Sequence, residues 1–74
     1  MSIEDAMKTA IEFEVRIRDI YLEASAAVDE AVGRRIFETL SADEQHHIDY
    51  LQHKLHLIEA SFHFPNLICV RPRQ

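Results

Sequence analysis

The sequence holds a single cysteine, Cys69, so no disulfide can form within the chain. It has no CxxC pair, which excludes a zinc knuckle and a rubredoxin-type iron site. Glycine occurs once and proline twice, and scarce turn formers favour long helices. Basic residues number 8 against 13 acidic ones, for a net charge of −5. That balance argues against nucleic acid, whose phosphates call for basic patches. No apolar run approaches the roughly 20 residues of a membrane span. The first residues, Met1-Ser2-Ile3-Glu4-Asp5, are acidic and lack signal-peptide character. With the lone thiol, they point to a reducing, cytoplasmic setting. A chain of 74 residues is one small domain at most. Domains of this size without disulfides generally need metal, oligomerisation or both.

What is present is 47% hydrophobic residues arranged in two helical patterns. The first pattern begins near Ile3, with Ser2 as its cap and Asp5 completing a capping box. Ile3, Met7, Ala10, Glu14, Ile17, Tyr21, Ala24 and Val28 recur in steps of four and three, the seam of a helix in a bundle. The chain turns between Ala26 and Ala31, with Asp29 as the expected cap of a second helix and Glu30 in its first turn. So short a link joins antiparallel neighbours. The second seam reads Phe37, Leu40, Glu44, His47, Leu51 and Ile58, supported by Ile36, Ile48 and Leu55. Gly33 falls near the start, where a missing side chain costs less. Pro65 stops the helix no later than Phe64. The division is therefore a helical hairpin over 1–64 and a non-helical tail over 65–74.

Three polar residues interrupt these seams. An ionised carboxylate in an apolar stripe is costly unless it is paired or bound to metal. Glu14 lies mid-way along the first helix. Glu44 and His47 lie mid-way along the second, and their spacing puts both on one helix face. In an antiparallel hairpin the three share one layer. Two carboxylates and an imidazole suit iron, manganese or zinc rather than calcium. One hairpin supplies too few ligands and too little core. A second copy would complete a four-helix bundle with four carboxylates and two imidazoles, the ligand set of ferritin-like di-iron proteins.

The same residues carry a family resemblance over roughly Ile3 to Leu57. Glu14-Val-Arg-Ile-Arg-Asp-Ile-Tyr21 resembles the first-helix motif of rubrerythrins, in which the ligand glutamate precedes a tyrosine by seven residues. Ile36-Phe37, followed by Glu44-x-x-His47, resembles their second-helix motif. Full-length relatives carry four helices and a second set of ligands. This sequence resembles the half-length ferritin-like proteins, some housed in encapsulin shells, that build the site across a dimer. The resemblance implies an all-α hairpin that dimerises into a ferritin-like four-helix bundle. It implies Glu14, Glu44 and His47 as ligands of a di-iron centre, with Tyr21 orienting a ligand carboxylate. It implies a homodimer or higher homo-oligomer, cytoplasmic or inside a protein compartment, with a shell or an electron donor as further partners. Without a rubredoxin domain, ferrous-iron oxidation is expected rather than a self-contained peroxidase cycle.

Each feature has a plainer reading. Glu14 could pair with Arg18, one turn on. Glu44 and His47 could sit on a partly exposed flank, and Tyr21 could be ordinary packing. Tyr50 reads as packing or surface. Asp43, Asp49, Glu23, Asp29 and Glu30 read as solvated. His46, His53, His56 and His63 read as a solvated histidine-rich face, although the spacing of His53 and His56 suits a metal. The alternative functions are a metal-free hairpin that only dimerises, and a metal-binding fragment of a longer rubrerythrin-like protein.

Overall fold

The computed structural model describes residues 1–63, so the tail expected over 65–74, with Cys69, lies outside the described residues. Two helices make up the hairpin: α1, Ile3–Ala27, and α2, Ala31–His63. No strand occurs among the described residues. Ser2 caps α1 with extended backbone, and its Oγ accepts the Asp5 N–H at 3.1 Å. Glu4 and Asp5 place negative charge in the first turn, where the helix dipole favours it. α1 ends at Val28, whose extended backbone leaves the helix while its N–H still donates to the Ala24 carbonyl at 3.1 Å.

The link differs from the expectation by one residue. Glu30, not Asp29, occupies the cap position of α2, because its carbonyl accepts the Arg34 N–H at 3.0 Å. Glu30 therefore precedes the first turn. Asp29 contributes its backbone instead. The Arg34 guanidinium folds back and donates to the Asp29 carbonyl at 2.6 Å and the Val28 carbonyl at 3.3 Å. Two carbonyls that the turn leaves without helical partners are thereby satisfied.

Gly33 sits inside the first turns of α2. A Cβ added there would meet Val28 Cγ2 at 3.4 Å, an ordinary contact. Nothing in the backbone requires glycine, so Gly33→Ala should stabilise the hairpin by about 0.5–1 kcal/mol through helix propensity. Chemical denaturation of the two proteins checks this, and a lower midpoint for the variant would contradict it.

The helices pack antiparallel along one edge of each apolar stripe. The core is Ile11, Ile48 and Leu55, flanked by Met7, Val15 and Leu51. Ser41, a polar residue outside the apolar stripe, is buried with them. This shifts both seams. The stripe expected on α1 ran through Ile3, Ala10 and Ile17, yet Ile11 takes the centre and Ile3 is exposed. On α2, Ile48 and Leu55 take the centre, while Ile36 remains 52% exposed and Leu40 half-buried. The physical reason is the width of the stripes. Each apolar arc is broader than one helix neighbour can cover, so pairing consumes one edge and leaves the other open.

The result is a flat, elongated hairpin of 54 × 29 × 13 Å with a radius of gyration of 17.1 Å. A compact domain of this length would have a radius near 11 Å. Among the described residues no large side chain is fully buried. Neither described helix is long and apolar enough to cross a membrane.

Candidate metal centre

Glu14 is carried by α1, and Glu44 and His47 by consecutive turns of α2. Because the helices run antiparallel, the middle of one lies beside the middle of the other. Glu14, Glu44 and His47 each offer a ligand atom, and these atoms lie within 4.8 Å of one another. No other group of three or more such residues forms among the described residues. His47 Nδ1 lies 3.5 Å from Glu44 Oε1 and 3.6 Å from Glu14 Oε1. These distances are too long for good hydrogen bonds.

The three side chains sit on the boundary between the seam and the open apolar edge. Glu44 is the most enclosed at 16% side-chain exposure, Glu14 follows at 28%, and His47 is open at 62%. Oε1 of Glu14 and Oε1 of Glu44 are both shut off from solvent, and neither has a hydrogen-bond partner. Enclosed carboxylate oxygens without a donor carry a desolvation cost that the hairpin offsets only in part, by a proton the two carboxyls can share. A cation coordinated at this point would remove it. The donor set, two carboxylates with an imidazole, fits iron, manganese or zinc.

The plainer reading of Glu14 required Arg18 as its partner. Arg18 is engaged elsewhere. Its Nε and one terminal nitrogen bond Asp19 Oδ1 at 3.1 and 2.9 Å. The other terminal nitrogen crosses to α2 and donates to Gln45 Oε1 at 2.7 Å. That cross-helix bond ties the two helices at the level of the cluster, since Arg18 is one turn from Glu14 and Gln45 adjoins Glu44. The sequence pattern gave no sign of it, because neither residue interrupts an apolar stripe.

Tyr21 lies two turns beyond Glu14. Its ring packs against Phe37, centroids 6.1 Å apart and tilted by 33°. Within this hairpin Tyr21 thus makes an aromatic contact rather than joining Glu14, Glu44 and His47. Tyr50 is on the surface, with Lys54 Nζ 5.3 Å from its ring centroid. Asp43, Asp49, Glu23, Asp29 and Glu30 are exposed, as are His46, His53 and His56.

No protein-family model, curated protein or solved structure matches the chain.

The Glu44 carboxyl is pushed up from its ordinary value. The largest cause is its contact with the Glu14 carboxyl, which favours a shared proton. Burial and the Glu14 charge add to it, and His47 pulls part of the way back. A carboxyl that holds its proton more tightly when folded stabilises the fold below its unfolded value of 4.5 and loses that contribution as pH rises through the folded value. Metal-free protein should therefore lose stability over that window on the way to neutral pH. Glu44→Gln, which stays neutral, should lose less. Melting curves of both proteins in chelator at several pH values test this, and parallel curves would refute it.

Proposed function

We propose that the chain is a non-haem iron protein of ferritin-like type that binds and oxidises ferrous iron at a site shared between two copies. The observation that carries this reading is the pair of enclosed, unpartnered oxygens on Glu14 and Glu44 beside the open imidazole of His47. Three ligands on one side leave an ion half-coordinated. The cluster also borders the uncovered apolar edge, where Ile17, Ile36 and Leu40 are only partly buried or exposed. A second copy laid on that edge by a two-fold axis would cover both edges and bring a second set of the same ligands, as in ferritin-like bundles.

Ferrous ions are the substrate in this reading. Two of them each give up one electron to one dioxygen, which takes two protons and leaves as hydrogen peroxide. The chain's own residues do the rest. Glu14 and Glu44 supply negative charge that favours the ferric product over the ferrous substrate. Because the proton affinity of Glu44 is raised, cation binding would compete with protonation at that carboxyl. His47 supplies a nitrogen donor, and its exposure in the single hairpin leaves room for the second copy's set of ligands.

An anaerobic ferrous titration followed by admission of air tests the reading. Saturable binding of roughly one ion per chain is expected, the stoichiometry of two-metal bundles. Air should then produce a ferric-oxo absorption band. An inert dimerising hairpin would give neither. Binding without oxidation would leave a metal-binding protein and remove the enzymatic part of the proposal.

A further inference from the structure

The line of contact inside the hairpin repeats every two turns. On α2 it runs through Ser41, Ile48 and Leu55, all buried. On α1 the same spacing takes Ile11 to Arg18 and then to Ser25. The place after Ile11 on this line therefore holds a guanidinium rather than an apolar side chain. Apolar contacts this few hold the helices together without fixing how each is turned. The short link from Val28 to Glu30 prevents α1 from sliding by whole turns past α2. It exerts little control at Glu14, about 20 Å back along α1. Over that length a tilt of about 10° moves a side chain by roughly 3.5 Å, whereas a metal site tolerates about 0.5 Å.

Arg18 supplies what the apolar line lacks. One terminal nitrogen crosses the seam to Gln45 Oε1 at 2.7 Å. Its Nε and other terminal nitrogen donate to Asp19 Oδ1 at 3.1 and 2.9 Å, which keeps the guanidinium from turning freely. Gln45 Nε2 donates to Asp49 Oδ1 at 3.0 Å, which fixes the end of the amide that faces Arg18. Both partners of the cross-helix bond are thus oriented from behind by a carboxylate. Among the described residues no other side-chain hydrogen bond joins α1 to α2. Lys8 and Glu59 approach each other across the helices, but only to 4.0 Å and with Lys8 exposed. A single polar contact on an apolar line is a means by which packed helices specify register, at some cost in stability.

We infer that Arg18 and Gln45 are positioning residues for the metal centre, whose bond sets the level and turn of α1 against α2 so that Glu14 meets Glu44 and His47. Neither is a ligand. Arg18 is one turn from Glu14 and Gln45 adjoins Glu44, so a shift of either partner carries a ligand with it. The inference rests on the proposed function, since it concerns that same centre.

Cobalt(II) is the probe, because its visible absorption reports the geometry of its donors. In the full chain, Gln45→Ala and Arg18→Ala should each weaken cobalt binding roughly tenfold, the lower end of what losing an orienting partner costs, and alter the absorption. The double substitution should cost no more than Gln45→Ala alone. Gln45→Glu keeps an acceptor for Arg18, so it should retain the parent's affinity and spectrum, and should lose both once Arg18→Ala is added. A Gln45→Ala protein with the parent's affinity and spectrum would overturn the inference and leave the centre standing. Losses that add in the double substitution would overturn it too. A parent that takes up no cobalt would overturn the proposed function and this inference together. Circular dichroism verifies that the helices remain. Where a variant does not fold, the natural chain supplies the test. Nuclear Overhauser contacts between the Arg18 guanidinium and the Gln45 side chain are expected, and their absence would overturn the inference.

Discussion

Glu44→Ala is expected to abolish stoichiometric ferrous binding and the ferric absorption that follows exposure to air. Glu44 is the most enclosed of the three ligands, and both copies of a dimer would lose it. The loss should exceed the roughly 10–100-fold typical of removing a partner that only orients a ligand. The same change should leave helical content intact. Alanine is the better helix former, and the hairpin contact is made by Ile11, Ile48 and Leu55 rather than by Glu44. The metal-free variant should melt no lower than the parent at neutral pH, because an unpartnered carboxylate has been removed. Metal affinity and metal-free stability should therefore separate. A variant that still takes up iron at the parent stoichiometry would sink the assignment of the centre.

If the chain assembles as proposed, Ile36→Glu is expected to leave it a monomer. Ile36 is 52% exposed, so it contributes little to the hairpin itself. It stands on the same side of α2 as Leu40 and lines an apolar groove with Ala31, Val32, Arg35 and Thr39. If the second copy covers that edge, burying a glutamate in place of isoleucine at both copies should weaken assembly by about 3–5 kcal/mol. That is roughly 10²–10⁴-fold in dissociation constant. Sedimentation or native mass spectrometry at matched concentration reads the shift, and circular dichroism verifies that the helices remain. Iron binding should fall with assembly although no ligand has been touched. An unchanged dimer would place the interface elsewhere. A monomer that binds iron as well as the parent would show that one hairpin suffices.

The hairpin and its candidate centre were legible in the sequence to different depths. The start of α1 and the turn between the helices followed from Ser2 and the link, both local signals, while the stop expected at Pro65 lies outside the described residues. The grouping of Glu14, Glu44 and His47 followed from polar residues interrupting apolar stripes at matching heights. The centre of packing did not follow. Periodicity favours the Ile3–Ala10–Ile17 line over Ile11, because a stripe wide enough for two neighbours does not say which edge the first neighbour takes. The stripes expected as a single seam have two edges: an inner one used within the hairpin, and an outer one left open with the cluster on the border. The Arg18–Gln45 bond was illegible for another reason. Polar contacts between helices depend on side-chain reach across a register known only after packing, and no periodicity announces them. The misplacement of the α2 cap from Asp29 to Glu30 has a similar origin, since either acidic residue fits the local preference.

A slab only 13 Å thick between its Cα atoms has no inside of its own. If its candidate centre is completed by a second slab, the affinity for iron is a property of a pair, and the law of mass action ties it to how many chains are present. Dilution would then act as an inhibitor. Uptake of iron would rise with roughly the square of chain concentration while monomers predominate, and only linearly once pairs predominate. A cell holding few copies would have almost no activity, and a modest rise in expression, or confinement in a small volume, would switch it on. Abundance would thus be part of the control of this chemistry, with no further regulatory element required in the chain.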